Sequence, residues 1–144
     1  MTGDKAVMIS IRPKWCDLIV SGQKTVEIRK TKPDLSNGPL KVYIYKTNRG
    51  KVIGEFLLRN CGYIQAWIDT DGYRHLGNTL GLRHCVDNEE LFNYLYRETK
   101  PGEQFSGGWA WLIDNLIVYD EAKAIDLCFG KKRPPQSWYY VREL

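Results

Sequence analysis

Short stretches in which apolar and polar residues alternate recur along this chain, with only two helical patterns between them. Alternation with a period of two is typical of β-strands that rest one face on a core. Because strands and helices do not succeed one another regularly, a doubly wound parallel sheet fits poorly. The pattern predicts an α+β fold: a small, mixed, partly closed β-barrel with a few flanking helices. The predicted strands cover residues 6–11, 25–30, 40–47, 51–60, 107–119 (bent near 114–115) and 138–141.

The first helical pattern begins at Pro13, a position where the missing amide hydrogen of proline is tolerated. Apolar residues then recur with helical spacing up to Ile19, and Gly22 is a natural residue to end the helix. A second helix is predicted to begin at 87–90 and to end near 100–102, whereas the glycine-containing stretch 66–82 is expected to be irregular. The apolar stripe of the second helix consists of Leu91, Phe92, Leu95 and Tyr96.

Length and composition predict one water-soluble domain over residues 1–144. The longest apolar run, around 109–113, is far shorter than the ~20 residues of a membrane span. The first residues lack the long apolar stretch of a signal peptide, so we expect a cytosolic protein without membrane contact.

The cysteines and histidines give little indication of a metal site. The four cysteines are widely separated and form no C-x-x-C pair, so we expect reduced thiols that pack as small apolar side chains. The one local group of metal-binding residue types, His75, His84 and Cys85, lacks a second pair of ligands at metal spacing. We therefore expect no metal and no other cofactor.

Basic residues are concentrated in the first 59 residues, which alone carry a charge of about +7, against +4 for the whole chain. A second basic block covers residues 131–133. Such an excess favours an anionic partner, although a solvated basic surface would give the same pattern.

Alternation in the segment 25–30 places Glu27 and Arg29 on one strand face, with Lys24 at the turn just before it. Lysine and arginine can contact phosphates, the arginine through two parallel hydrogen bonds. Glu27 could accept hydrogen bonds from the amino edge of a base, or orient the two cations. An exposed strand face with ordinary salt bridges is the structural alternative.

Four further residues near the first helix and the third strand are candidates for ligand binding. Arg12 and Trp15 flank the start of the helix, where anions are favoured, and Ser10 shares a strand face with Arg12. Trp15 could stack on a base, but its spacing is also that of a core residue. Lys46 could join the phosphate contacts or simply be solvated.

Near the end of the chain, Ser137 and Trp138 follow the rigid pair Pro134-Pro135. A fixed aromatic ring beside a hydroxyl group can stack on a base and hydrogen-bond to it. A tryptophan that fills the core of a closing strand is an equally good interpretation.

The segment 9–30 strongly resembles the N-terminal signature of the ASCH family, which belongs to the PUA-like superfamily. That signature is a strand, a short helix and then G-x-K-x-x-E-x-R, here Gly22, Lys24, Glu27 and Arg29. Later segments are similar to the family in the same order: K-V-Y-I-Y-K at 41–46, V-I-G-E-F at 52–56, the strand pair at 108–120 and P-P-Q-S-W-Y-Y-V at 134–141. The resemblance covers most of the chain outside about 66–100.

The resemblance implies a PUA-like β-barrel with a cleft between barrel and helix, lined by the charged residues of the motif. Because family members are mostly inferred to bind RNA or to act on nucleotides, we expect a binding module for RNA or a nucleotide, with or without a base modification. The oligomeric state is left open.

The alternative is a small hydrolase that acts on RNA or on a modified nucleoside. Some ASCH proteins are similar to amidohydrolases of acylated cytidine, whose motif contains a lysine, a threonine nucleophile and a separate glutamate. Lys24 matches that lysine, but Glu27 stands where the threonine would be. A ribonuclease needs general acid and base groups, for which Lys24 and Glu27 could serve.

Overall fold

The computed structural model describes residues 4–48, 50–99, 101 and 106–144. Nine strands and three helices lie in this part of the chain. In order they are β1 (Ala6–Ile11), α1 (Pro13–Val20), β2 (Val26–Arg29), β3 (Leu40–Lys46), β4 (Lys51–Leu58), β5 (Cys61–Ile68), β6 (Arg74–Gly77), α2 (Asn88–Leu95), β7 (Ser106–Leu112), β8 (Asp114–Ala124), α3 (Ile125–Phe129) and β9 (Trp138–Val141).

The strands form two sheets. The five-stranded sheet has the order β8-β4-β3-β1-β9, in which β1 and β3 are parallel and the other neighbours antiparallel. The four-stranded sheet has the order β2-β7-β5-β6 and is antiparallel throughout. The α+β class is therefore confirmed. No pairing joins the two sheets in the described part of the chain, so the partly closed barrel stays a prediction.

The main core lies where the two sheets and α1 meet. Val7, Ile9 and Ile11 of β1 point into it, Cys16 and Ile19 of α1 cover it, and the four-stranded sheet contributes the fully buried ring of Trp111. Since the opposite face of β1 is also buried, against a second cluster that includes α3, all six of its residues are buried. A third cluster lies between the four-stranded sheet and α2.

The start of the chain folds as its local pattern predicts. Pro13 is the first residue of α1, and Gly22 has a φ of 82°, a left-handed conformation that glycine adopts without strain, just after the helix. The predicted hairpin of β3 and β4, the last strand and the start of α2 after Asp87 are also confirmed.

The prediction that residues 66–82 are irregular is wrong. β5 and β6 form a hairpin there, with Trp67 opposite His75. β5 also pairs with β7, some 45 positions later in sequence, and this non-local pairing leaves little local signal. Helix α3 was not predicted, and α2 ends at Leu95, before the expected stop; Lys100 and Gly102 lie outside the described residues.

In the described part of the chain, none of the helices has both the length and the apolar character that a membrane crossing requires.

Candidate functional site

A cavity of about 490 Å³ lies between the start of α1, strand β2, helix α2 and the segment that leads into β9. Its wall includes six of the nine residues predicted from the sequence as ligand-binding. These are Ser10, Arg12, Trp15, Glu27, Arg29 and Ser137.

Strand β2 supplies the charged floor of the cavity because its side chains alternate. Val26 and Ile28 belong to the core cluster beneath α2, and Glu27 and Arg29 therefore point to the other side. There they lie across the strand pair from Trp111 and Trp109 of β7.

Glu27 accepts from both neighbouring cations. Its Oε1 lies 3.4 Å from Lys24 Nζ and accepts from the Ile28 amide at 3.1 Å, while its Oε2 lies 3.2 Å from Arg29 Nη2. The Glu27 side chain is only 8% exposed. Glu27 therefore forms ion pairs with both cations at once.

Lys24 lies behind the cavity rather than in its wall. Its side chain is fully buried, and its ammonium group also donates to the carbonyl oxygen of His84. Burial lowers the pKa of Lys24, and the nearby Glu27 carboxylate acts in the opposite direction.

Arg29 ties three segments together at the floor. Its Nη2 donates to the carbonyl oxygen of Ser10 at 2.7 Å, and its Nη1 lies 3.3 Å from Ser137 Oγ. Ser10 Oγ in turn donates to the carbonyl oxygen of Pro135 at 2.6 Å. These hydrogen bonds connect the end of β1, strand β2 and the segment before β9. The guanidinium of Arg29 is therefore mostly used in contacts within the protein.

Arg12 is the exposed cation of the cavity. It is the N-cap of α1, and its guanidinium makes no hydrogen bond or ion pair with the described residues. The partly buried ring of Trp15 lines the same wall, with Lys14 Nζ 4.6 Å and Lys24 Nζ 5.0 Å from its centroid. Trp15 thus packs against the core and also lines the cavity, and its stacking on a base stays a prediction.

Helix α2 closes the opposite side, and sequence reasoning did not assign its residues to the site. Leu91 and Tyr94 line the cavity together with Glu90, and Val86 joins them from the loop before the helix. Lys30 Nζ lies 5.0 Å from the centroid of the Tyr94 ring. The apolar stripe predicted this helix but not which of its residues line a cavity, because that depends on how α2 packs on the four-stranded sheet.

The remaining two candidates, Lys46 and Trp138, lie outside the cavity wall. Lys46 Nζ lies 3.3 Å from Asp17 Oδ1, and both residues line a separate, shallower depression. Trp138 Nε1 donates to Thr31 Oγ1 at 2.9 Å, and its ring packs edge-on against Trp111. In this arrangement both side chains make structural contacts.

The two histidines have partners of their own. His84 Nδ1 accepts from the Val86 amide at 3.0 Å, and burial followed by the charge of Lys24 lowers the pKa of His84. His75 Nε2 lies 2.7 Å from Asp69 Oδ2 on the β5–β6 hairpin. Within the described ranges, no group of three or more His, Cys, Asp or Glu side chains is arranged to hold a metal ion.

Comparison with known proteins places the chain by sequence and by fold. The family model described as the ASCH domain matches residues 9–123. The crystal structure of ASCH from Zymomonas mobilis is similar, with a TM-score of 0.62 and 25% identity, over 95% of this chain and 87% of that one. A serine-to-alanine variant from the same organism has a TM-score of 0.63 and 24% identity, over 99% and 92% of the two chains. No match was found among curated proteins.

Proposed function

Because this chain belongs to the ASCH domain family, we propose that it binds a nucleotide or a single-stranded RNA in the cavity between α1, β2 and α2. Domains of this family are generally thought to bind RNA. The volume, about 490 Å³, lies within the usual range for small-ligand sites and suits one nucleotide unit.

The observation that carries the proposal is the exposed guanidinium of Arg12 at the rim of a cavity with aromatic and aliphatic walls. A guanidinium without a protein partner can form two parallel hydrogen bonds to a phosphate. The N-terminus of α1 lies at the same position and adds a favourable field for an anion. The phosphate of the ligand therefore lies at Arg12 in this proposal.

The base lies deeper, between Trp15 and the side chains of α2. Stacking on aromatic rings contributes about 1–3 kcal/mol per base and tolerates any base. Glu27, at the floor, still has acceptor capacity beyond its contacts with Lys24, Arg29 and the Ile28 amide, since an ionised carboxylate has about four lone-pair sites. It accepts a hydrogen bond from an exocyclic amino group, which favours bases that carry one.

The test is equilibrium binding of fluorescently labelled single-stranded RNA to the wild type, Arg12→Ala and Lys41→Ala. Lys41→Ala removes the same charge near the start of β3, away from the cavity, where the half-exposed Lys41 side chain pairs with Glu55. Loss of a charge-assisted contact of about 1.5–3 kcal/mol predicts at least a tenfold weaker affinity for Arg12→Ala. Equal affinities of the two variants would contradict the proposal.

The hydrolase alternative has one supporting observation, the Lys24–Glu27 ion pair directly beneath the cavity. The ammonium group of Lys24 is fully covered, however, and neither His75 nor His84 lines the cavity. We therefore favour binding without cleavage. Gel analysis of RNA after prolonged incubation with the wild type is expected to recover intact strands, and cleavage that disappears in Glu27→Gln would favour the hydrolase instead.

A further inference from the structure

One face of the four-stranded sheet continues beyond the core that it shares with the other sheet. Near the core, this face carries Glu27, Trp111 and Cys61 on adjacent strands. Trp111 is fully buried there, and Cys61 packs against the same core. The next row of side chains on this face lies two residues away on each of the three strands. It extends from the cavity to solvent.

This second row consists of Arg29, Trp109 and Tyr63, which are direct neighbours across β2, β7 and β5. The rings of Trp109 and Tyr63 lie 5.0 Å apart between centroids at an angle of 60°, and Tyr63 is 36% exposed. Since neighbouring strands are about 4.8 Å apart, Tyr63 lies about 10 Å from the strand that supplies the cavity floor.

A cation accompanies the aromatic pair. Lys32, three residues beyond Arg29, places its ammonium group 5.1 Å from the centroid of the Trp109 ring. It forms no ion pair with any residue in the described ranges. The row therefore combines stacking surfaces with an available positive charge.

The row after Tyr63 has little side-chain bulk of its own, because Gln65 has a glycine on either side of it, Gly107 on β7 and Gly77 on β6. A Cβ atom at 107 would lie 1.9 Å from the carbonyl oxygen of Ile64, so no side chain fits there. Beyond this row the carboxylate of Asp69 beside His75 would repel a phosphate. The surface thus has a basic end at the cavity and an acidic end at the tip of the β5–β6 hairpin.

We propose that a single-stranded RNA held in the cavity continues across this face, with Lys32 contacting a phosphate and Tyr63 stacking on a base about two nucleotides from the cavity. This inference rests on the proposed function and extends it from one nucleotide to a short strand. The aromatic pair and Lys32 beside it match an RNA strand in both stacking and charge. A protein strand cannot add to the sheet at this point, since β7 and β5 are interior strands whose backbone groups are already hydrogen-bonded to their neighbours.

The test compares a dinucleotide with a six-nucleotide RNA on the wild type, Tyr63→Phe, Tyr63→Leu and Tyr63→Ala. The control is Tyr73→Ala, which removes an exposed tyrosine at the turn of the same hairpin. The wild type, Tyr63→Phe and Tyr73→Ala are expected to bind the longer RNA at least about fivefold more tightly than the dinucleotide. Tyr63→Ala and Tyr63→Leu should lose that gain while their affinity for the dinucleotide stays unchanged. Tyr63→Leu keeps most of the side-chain volume, so a loss there reports on the ring rather than on folding.

The outcomes separate the two proposals. Failure of the wild type to bind either RNA would contradict the proposed function and this inference together. Binding of both RNAs with the same length dependence in Tyr63→Leu as in the wild type would overturn only the inference. A wild-type dimer that Tyr63→Ala or Tyr63→Leu dissociates, seen by sedimentation, would assign the face to protein contact and would also overturn it.

Discussion

Glu27 is the residue on which the geometry of the cavity floor most depends. One carboxylate oxygen of Glu27 pairs with Lys24 and the other with Arg29. Arg29 in turn hydrogen-bonds to Ser10 and Ser137. Removal of one partner of a buried ion pair leaves the other charge poorly compensated, whereas removal of both can be nearly neutral. The fixed positions of the lining residues therefore follow from paired charges rather than from any single contact.

The first prediction concerns this pairing. Lys24→Met should lower the free energy of unfolding by about 3 kcal/mol, because Glu27 stays buried with one cation fewer. Glu27→Gln should cost less in the Lys24→Met background than alone, because only Arg29, and no longer Lys24, then loses its carboxylate. Urea unfolding of the two single variants and the double variant measures the coupling. A double variant whose loss equals the sum of the single losses would contradict the coupling.

His84 leads to a prediction about pH. Its pKa is lowered from 6.5 in the folded protein, mainly by burial, so the unfolded chain binds more protons between the two pKa values. The free energy of unfolding should therefore fall as the pH drops below about 6.5, and level off below the folded pKa. In His84→Asn, whose amide oxygen can still accept from the Val86 amide, this fall between pH 7 and 5 should be smaller. Equal pH profiles of wild type and variant would count against the assignment.

At the scale of elements, the wall formed by α2 depends on how the helix begins. Asp87 is its N-cap, and its carboxylate accepts from the amides of Glu89 and Glu90. Since the start of the helix carries Glu90 and Leu91 of the cavity wall, loss of the cap affects both folding and the site.

We expect Asp87→Ala to lower the free energy of unfolding by about 1 kcal/mol, because two amides lose their acceptor. Asp87→Asn, which retains a capping oxygen, should lose much less. Thermal and urea unfolding of the two variants measure the difference. A loss in Asp87→Asn as large as that in Asp87→Ala would show that the cap is not the cause.

Elements with strong local signals could be predicted from the sequence, and those that depend on distant partners could not. Pro13, Gly22 and the alternation in β2 act within a few residues, so they located α1 and the charged strand face. β5 depends on pairing with β7, and β6 in turn pairs with β5. Helix α3 has only five residues and is anchored by contacts such as that of Phe129 with Tyr43. The same limit applied to the site. The sequence predicted the site residues on β2, but it did not predict that α2 forms the opposite wall of the cavity.

At the scale of the whole molecule, the positive charge of the first 59 residues is expected to appear as a salt dependence of RNA binding. Each phosphate contacted on a single strand contributes about −0.7 to the slope of log K against log salt concentration. Contacts at Arg12 and Lys32 predict a slope of about −1.4 or steeper, which should become shallower by about 0.7 in Arg12→Ala. Identical slopes for wild type and variant would show that Arg12 does not contact a phosphate.

In the proposed function, RNA binds in the cavity between α1, β2 and α2. The most direct test is to record amide chemical shifts of the isotopically labelled protein during titration with a short single-stranded RNA. The largest changes are expected on residues of the cavity wall, among them Arg12, Arg29, Tyr94 and Ser137. β8 is an edge strand of the five-stranded sheet, and α3 packs on that sheet. If the largest changes fell on β8 or α3, or if saturating RNA caused no changes, binding in this cavity would be contradicted.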